Sequence, residues 1–500
     1  MRKLAIGAAA ALTATTLSVP SAHAAQSSPD LAKLVTVKDI KRHLENLQTI
    51  ADYNGGNRAA GQAGFTVSTR YVVSQLKKAG FEPTVQNFDF DYFQERSPAV
   101  FGQVAPDKVD YKTGADFSTY QYSGSGDVTA GAAAVDTPAA NTDGDSGCQA
   151  GDFASFPKGS IALIQRGGCD FALKASNAKA AGAVAVVIYQ KPTVEDGPVG
   201  GTLGGPTTLP VVGPTYKVGS ELVKLANAGG LKLHIKTDTL NEKRKANNVI
   251  AETGHGRSDN VVVVGAHLDS VDAGPGINDN GSGTSTLLAI AQKVNKLGKK
   301  GLKNKIRFAW WGAEEEGLLG SEHYVASLSA AQKSKIALNL NFDMTASPNG
   351  VRGVYNGSDP TAPHGSAAIQ KIFNDYYAKR KLPTVPSEFN GRSDYGPFLE
   401  AGIPAGGIDT GAEGIKTAAE AKLFGGQAGK PYDACYHAKC DRITNINWGL
   451  LDTNADGVAF AVQTFAKSTL PVNGEALSAG RSYAKPAPTA PLYRGSHLVR

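Results

Sequence analysis

Two histidines and four carboxylates of the metal-binding type lie in the second half of this 500-residue chain. They are His267, Asp279, Glu314, Glu315, Asp343 and His437. Neutral imidazole and carboxylate groups bind zinc at about 2.0–2.2 Å. The set could hold two zinc ions with one bridging carboxylate, and such a pair polarises a carbonyl group and activates water. One carboxylate must then stay free as general base, and the adjacent Glu314 and Glu315 could divide the two tasks.

Three apolar runs, at 261–264, 306–311 and 337–342, end shortly before candidate ligands. Each run is typical of a strand that is buried on both faces. Open α/β sheets hold their sites at the carboxyl ends of the strands. We therefore expect His267, the Glu314–Glu315 pair and Asp343 to meet at one edge of a mostly parallel sheet.

The segment between the first two runs supplies two further candidates. Asp279 lies in a glycine-rich turn, 276–283, which opens a helix predicted over 285–297. Asp269 follows His267 by two residues and is placed to accept the second N–H of that imidazole.

Each of these signals also has a structural explanation. A single histidine after a strand is usually structural, and the acidic triplet 314–316 is typical of a solvated turn. The sequence DNG at 279–281 is often only a turn. Their convergence on one sheet edge favours a metal site, because three separate structural explanations would otherwise be needed.

Composition limits the remaining function classes. The chain carries 51 Lys+Arg against 45 Asp+Glu, a formal net charge of +6, and no long basic run. We therefore expect no nucleic-acid partner. Hydrophobic residues make up 41% of the chain, which is typical of globular domains with a core and not of disorder.

The first 24 residues have the pattern of a secretory signal peptide. Arg2 and Lys3 precede an apolar stretch at 4–17, and the sequence AHA at 22–24 resembles a cleavage site. The stretch is shorter than the roughly 20 residues that a membrane span needs. We therefore expect a secreted, extracellular protein with no membrane anchor.

The four cysteines are consistent with export, because an even number in an exported chain is typical of disulfides. Three pairings are possible, and sequence neighbourhood favours Cys148–Cys169 and Cys435–Cys440. Thiolate zinc ligation is the alternative, but neither pair has C-x-x-C spacing.

The predicted secondary structure and the amino-acid composition change along the chain. Helical apolar spacing at 40–51 and 66–79 indicates helices in a first unit, 30–114. A strand-rich insert at 115–242 follows, and alternating strands and helices return over 246–468. The predicted fold is α/β, a three-layer α/β/α domain with a mostly parallel central sheet and a smaller inserted domain. Residues 471–500 are proline-rich, and we expect a flexible tail there.

Several motifs resemble the secreted bacterial di-zinc aminopeptidase family, the co-catalytic zinc exopeptidases related to leucyl aminopeptidases. They are GAHLDS at 265–270, GINDNGSG at 276–283, RFAWWGAEE at 307–315, LNFDM at 340–344 and CYH at 435–437. The resemblance covers about 35–90 and 246–465, and NGGNR at 54–58 also belongs to it. It implies an aminopeptidase that acts on peptides or proteins with a free N-terminus.

The resemblance also implies a role for each candidate residue. His267 and Asp343 would hold one Zn²⁺, Glu315 and His437 a second, and Asp279 would bridge them. Further roles would fall to the general base Glu314, the oxyanion donor Tyr436, and the substrate-binding residues Arg392, Met344 and Asp409. Glu316 has no implied role.

Asp409 stands where apolar-selective relatives carry an aromatic residue. If Asp409 lies in the pocket for the first side chain of the substrate, its charge would favour Lys or Arg there. If it points away, the pocket stays apolar and favours Leu.

The insert resembles a protease-associated (PA) domain through GSIALIQRGGCDF at 159–171. Such domains carry no catalytic groups, and the resemblance supports the Cys148–Cys169 pair. Some relatives also bind Ca²⁺. Asp452 and Asp456 resemble part of that calcium site, but Leu34 and Val35 stand where its N-terminal aspartate would be.

Two other function classes share parts of this pattern. A one-zinc acyltransferase of the glutaminyl-cyclase type would need fewer ligands than the five retained here. A non-enzymatic receptor with a peptidase-like domain would be expected to have lost ligands. Both are therefore less favoured than a two-zinc aminopeptidase.

Overall fold

The computed structural model describes residues 29–138, 142, 144–192, 197–475 and 493–500. The predicted signal peptide and residues 476–492 of the predicted tail lie outside the described residues. In the part of the chain that is described, no helix combines the length and apolarity needed to cross a bilayer.

The first unit contributes three helices and two strands. They are α1 (Leu31–Leu34), α2 (Val37–Asp52), α3 (Ala63–Lys78), β1 (Thr84–Ala105) and β2 (Val109–Tyr111). Helix α2 covers the predicted helix 40–51, and α3 covers residues 66–78 of the predicted helix 66–79; both begin three residues earlier than predicted. The side chain of Thr36 caps α2 by accepting the N–H of Asp39.

The insert is built from parallel strands with two covering helices. Its elements are β3 (Phe117–Thr119), β4 (Gly126–Ala134), β5 (Ile161–Gln165), α4 (Phe171–Ala180), β6 (Ala185–Tyr189), β7 (Val211–Pro214) and α5 (Tyr216–Ala228). Strands β4 to β7 run parallel in that order, and β3 closes the edge in the antiparallel sense. The disulfide Cys148–Cys169 is present.

Strand β8 (Lys232–Glu252) returns the chain from the insert. It pairs with β1 in the antiparallel sense from Thr84 to Ala105, and also with β4 and β10. Strand β8 therefore runs without a break through the position at which we expected the insert to end. The two domains share one continuous sheet.

The second unit carries the remaining elements up to residue 473. Its strands are β9 (Arg257–His267), β10 (Asn304–Trp311), β11 (Ile336–Phe342), β12 (Gly353–Tyr355), β13 (Val385–Ser387) and β14 (Ala405–Asp409). Its helices are α6 (Gly281–Val294), α7 (Gly298–Gly301), α8 (Leu319–Ser327), α9 (Ala330–Lys333), α10 (Ser366–Lys379), α11 (Gly396–Glu400), α12 (Ala418–Phe424), α13 (Trp448–Lys467) and α14 (Leu470–Asn473).

The central sheet is mostly parallel, as predicted. Strands β10, β9, β11 and β14 are neighbours in that order and run parallel. The run 261–264 shows why both faces are buried. Val262 and Val264 pack in the large cluster with α2, α6 and α13, whereas Val261 and Val263 pack on the opposite face against α8 and α11. This alternation produces the predicted α/β/α layers.

Helix α6 begins four residues earlier than predicted. Asn280 is its N-cap, and the side-chain oxygen of Asn280 accepts the N–H of Gly283 at 3.0 Å. A Cβ on Gly283 would lie 2.3 Å from the carbonyl oxygen of Phe342, so the helix requires glycine there. The glycines that suggested a turn therefore allow the first turn of α6 to pack closely on β11.

Residues 493–500, which belong to the predicted tail, have regular secondary structure. These residues form a hairpin of β15 (Tyr493–Arg494) and β16 (His497–Leu498). The N–H groups of Phe171 and Thr202 donate to the carbonyl oxygens of Val499 and Leu498, both at 2.9 Å. Proline-rich composition indicated disorder, but long-range main-chain hydrogen bonds hold this segment.

Candidate metal centre and substrate cleft

The sheet places the predicted ligands at one edge. His267 ends β9, the turn with Glu314 and Glu315 follows β10, and Asp343 follows β11. Asp279 comes from the turn before α6. His437 lies in a loop that the Cys435–Cys440 disulfide closes, and its backbone φ is +55°.

The five predicted ligands face one another. His267 Nε2 lies 3.2 Å from Asp279 Oδ1 and 3.3 Å from Asp343 Oδ1. His437 Nε2 lies 3.1 Å from Asp279 Oδ2 and 3.0 Å from Glu315 Oε2. The two carboxylate oxygens of Asp279 therefore face two separate groups of side chains, one with His267 and one with His437.

The donor atoms of this cluster fit metal ions. Among the residues that the structure describes, none offers a hydrogen-bond partner to His267 Nε2, Asp343 Oδ1, Glu315 Oε1 or His437 Nε2, although all four atoms are buried. Buried polar atoms are normally satisfied. Imidazole and carboxylate groups converging in this way are the ligand set that zinc prefers.

The charges of the cluster require compensation by cations. Burial lowers the pKa of His437, but the carboxylates of Glu315 and Asp279 raise it to about 10. Burial likewise opposes ionisation of Asp279, yet the two imidazole rings, whose Nε2 atoms lie 3.2 and 3.1 Å from its carboxylate oxygens, hold its pKa below the ordinary value. Protons on the imidazoles or metal ions can supply this positive charge, and the two compete for the same nitrogen atoms.

Asp269 shapes the turn that carries the two glutamates. Its carboxylate accepts the N–H groups of Glu314 and Glu315, each at 3.2 Å. His267 Nδ1 is 3.6 Å from Asp269 Oδ1, which is longer than a hydrogen bond. The structure thus places Asp269 beside His267, as expected, but its hydrogen bonds go to the backbone of the turn.

Glu314 and Glu315 point to different places. Glu315 faces His437, whereas Glu314 Oε2 lies 3.9 Å from His267 Nε2 and lines the open cavity. Burial raises the pKa of Glu314 well above its ordinary value; the charge of His267 opposes this effect, and those of Glu315 and Asp343 add to it. Glu314 is therefore a stronger base than an exposed carboxylate.

Sequence analysis missed the residues that support the ligands. Ser393 Oγ donates to Asp343 Oδ2 at 2.6 Å and accepts from Asn341 at 2.7 Å. Asp441 accepts the N–H groups of Asn278 and Asp279 at 2.8 and 3.0 Å. Such partners orient metal ligands.

Arg58 holds the loop before Asp279. Its buried guanidinium donates to the carbonyl oxygens of Pro275 at 2.9 Å and Gly276 at 2.6 Å, and also to that of Leu268. The motif at 54–58 was the available signal for this residue, but the sequence assigned it no role.

Tyr436 and Arg392 flank the cluster. Arg392 Nη2 donates to the Tyr436 hydroxyl at 3.1 Å, and its guanidinium also pairs with Glu413 at 2.5 Å. Burial raises the pKa of Tyr436 well above its ordinary value, so the phenol keeps its proton.

A cavity of about 180 Å³ opens beside Glu314 and Tyr436. Its lining includes Met344, Tyr355, Ser387, Glu388, Tyr395 and Asp409. Asp409, at the end of β14, accepts from the Ser387 hydroxyl and from the N–H of Gly411 at 3.1 Å. Burial raises the pKa of Asp409. The structure therefore places both Asp409 and Met344 in the cavity.

Glu316 is more than a bystander. It accepts a hydrogen bond from Gln121 of the inserted domain at 3.1 Å. Burial raises the pKa of Glu316 to about 8, with the charges of Asp272 and Asp269 adding to the effect. Glu316 therefore connects the metal-site turn to the insert.

The partial calcium motif forms an acidic group on α13. Burial and the charges of Asp452 and Asp30 raise the pKa of Asp456 to about 6. Over the ranges that the structure describes, however, all groups of three potential metal ligands belong to the cluster around His267 and His437. Asp452 and Asp456 are in none of these groups.

The fold and the cluster together define a metal-dependent peptidase of the α/β/α class with an inserted domain. Comparison with protein families agrees: residues 248–462 match peptidase family M28, and residues 128–222 match the PA domain. An aminopeptidase of Pseudomonas aeruginosa is 44% identical over 461 residues, covering 90% of this chain and 85% of the relative. The chain belongs to peptidase family M28 and carries an inserted PA domain.

Other relatives support this assignment. A probable leucine aminopeptidase 2 of Aspergillus fumigatus is 40% identical to this chain. The alignment covers 88% of this chain and 85% of the relative. The structure of an aminopeptidase from Aneurinibacillus sp. strain AM-1 matches with a TM-score of 0.68 at 27% identity, over 87% of this chain and 94% of that one. BSAP, a zinc aminopeptidase from Bacillus subtilis, matches with a TM-score of 0.59 at 26% identity, over 91% and 98%.

Proposed function

We propose that the protein is a secreted aminopeptidase that uses two zinc ions to remove the N-terminal residue from peptides and proteins. The observation that carries the proposal is the position of Asp279 between two ligand groups. One carboxylate oxygen faces His267 and the other faces His437. The names of the relatives from Pseudomonas aeruginosa and Bacillus subtilis support the same activity.

The residues divide into two ligand groups and a separate base. His267 and Asp343 would hold one zinc ion, Glu315 and His437 the other, with Asp279 shared. Bound there, two zinc ions would polarise the scissile carbonyl and activate a water molecule for attack.

Glu314 has the properties of the general base. Its carboxylate lines the cavity, and burial raises its pKa. A base with a raised pKa takes a proton from the attacking water and returns it to the leaving amine. Glu315 faces His437 and is assigned to metal binding. It is therefore not available to take the proton from the attacking water.

Tyr436 supplies the donor for the developing oxyanion. Because Arg392 donates to the phenolic oxygen, the Tyr436 proton is free to point away from Arg392 into the cavity. A preorganised donor of this kind lowers the free energy of the tetrahedral intermediate.

The carboxylates that line the cavity beside the ligand cluster would bind the free amine of the substrate. Glu314 and Asp343 both line it, so an ammonium group is favoured and a blocked N-terminus is not. Hydrolysis of Leu-anilide and N-acetyl-Leu-anilide, with and without a chelator, tests the proposal. Chelator-sensitive cleavage of the free substrate alone is expected; comparable cleavage of both would indicate an endopeptidase.

The cavity would also accept basic first residues. Asp409 and Glu388 line it together with Tyr355 and Tyr395. A substrate Lys or Arg could pair with the Asp409 carboxylate through a charge-assisted hydrogen bond. The aromatic rings leave room for the apolar stem of Lys or for Leu.

A further inference from the structure

The hairpin 493–500 returns to the metal-site edge of the sheet. Gly495, at its tip, donates its N–H to the carbonyl oxygen of Gly391 at 3.0 Å. Ser496 lines the same cavity as Glu314 and Tyr436. The hairpin thus enters the cleft in which we place the substrate.

The hairpin touches residues of the proposed catalytic machinery. His497 Nε2 lies 2.7 Å from the carbonyl oxygen of Glu315. The Arg392 guanidinium lies 5.4 Å from the centre of the Tyr493 ring. Gly495 packs so closely that a Cβ there would lie 2.9 Å from the Glu314 carbonyl oxygen and 3.3 Å from its Oε1.

The other end of the segment is anchored on the PA domain. Phe171 and Thr202 donate backbone N–H groups to Val499 and Leu498, and Arg166 Nε donates to the carbonyl oxygen of Arg500 at 3.2 Å. Leu498 packs on the apolar cluster of the PA domain. These are the main-chain contacts by which a surface takes up an extended peptide.

We propose that residues 493–500 are a built-in competitive inhibitor, which occupies the path of the substrate between the PA and peptidase domains. The inference rests on the proposed function. The hairpin presents a turn and no N-terminal amine, so an aminopeptidase cannot remove it. Its displacement opens the cavity to peptides.

A segment that only stabilised the two domains would contact both and leave the cavity free. This hairpin instead places Ser496 in the cavity lining and Gly495 against Glu314. The two roles predict opposite effects of loosening it. Loosening an inhibitor raises activity, whereas loosening a stabilising segment lowers it.

Gly495→Ile in the full chain is the first test. Gly495 has a φ of +58°, and any side chain there meets Glu314 and Gly317. We expect kcat/KM for Leu-anilide to rise at least tenfold, mainly through a lower KM. Gly474→Ile is the matched control, because Gly474 has a φ of +65° and no atom within 4 Å of its Cβ position. Equal activity of wild type and Gly495→Ile, with the control also unchanged, would overturn the proposal.

A second test separates failure of this inference from failure of the proposed function. The full chain receives a protease recognition sequence within 476–492, and binding of a fluorescent N-acetylated peptide with the sequence of residues 493–500 is measured before and after cleavage. We expect binding only after cleavage and removal of the released segment, with competitive inhibition of Leu-anilide hydrolysis. Equal binding to the intact and cleaved chains would overturn the inference. Absence of hydrolysis in both zinc-loaded forms would instead contradict the proposed function, and the binding measurement would still decide the inference.

Discussion

Arg392 Nη2 donates a hydrogen bond to the phenolic oxygen of Tyr436 over 3.1 Å. The direction of this bond matters, because it uses the lone pair of the oxygen and leaves the phenolic proton available. Glu413 holds the guanidinium from the other side. The family resemblance implies that Arg392 binds the substrate, and its contacts also support a role in positioning Tyr436.

Tyr436→Phe is expected to lower kcat by about 10²–10³-fold with little change in KM, since it removes one oxyanion donor. Steady-state kinetics with Leu-anilide measures this effect. Tyr432→Phe is the matched control, because the Tyr432 hydroxyl donates to Glu420. Equal loss in the two variants would contradict the role of Tyr436.

Glu314→Gln and Glu315→Gln should fail in different ways. Glu314→Gln should retain zinc but lose at least about 10²-fold in kcat, because proton transfer is lost. Glu315→Gln should lose zinc from one site. Metal analysis and kinetics of both variants check this, and the reverse pattern would exchange the two assignments.

Asp409→Asn should change the choice of first residue. Loss of a hydrogen bond to a charged group costs about 1.5–3 kcal/mol, so kcat/KM for Lys-anilide should fall roughly tenfold or more while that for Leu-anilide changes little. Asp359→Asn is the control, because the half-buried Asp359 is not among the residues that line the cavity. An unchanged Lys-to-Leu ratio would show that Asp409 does not pair with the substrate.

Glu316→Gln should stabilise the protein in a pH-dependent way. In the folded state Glu316 keeps its proton up to about pH 8, whereas the unfolded chain releases it from about pH 4.5. Ionisation therefore favours unfolding between these values. The free energy of unfolding of Glu316→Gln should exceed that of wild type at pH 8 by on the order of 4 kcal/mol, and the difference should vanish below about pH 4.5. Chemical denaturation with chelator present tests this; a pH-independent difference would contradict it.

The sequence predicted those features that depend on local pattern. The run at 261–264 indicated a strand buried on both faces, and Val261 and Val262 do pack in different layers. The ends of the same runs indicated which side chains would share an edge. These predictions succeeded because strand direction and side-chain alternation follow from the residues themselves.

Supporting residues could not be predicted because long-range contacts define them. Ser393 is 50 residues from Asp343, and Asp441 is 162 residues from Asp279. The hairpin at 493–500 depends on the PA domain in the same way, through Phe171 and Thr202. Composition near the C-terminal end of the chain carries no information about such partners.

The metal content of active enzyme tests the central claim most directly. Purified full-length protein is stripped with a chelator, titrated with Zn²⁺, and assayed with Leu-anilide while bound zinc is counted by mass spectrometry. We predict no activity without metal and full activity at two zinc ions per chain, since Asp279 serves both ligand groups. Full activity with one ion per chain, or activity that survives complete removal of metal, would contradict the two-zinc account.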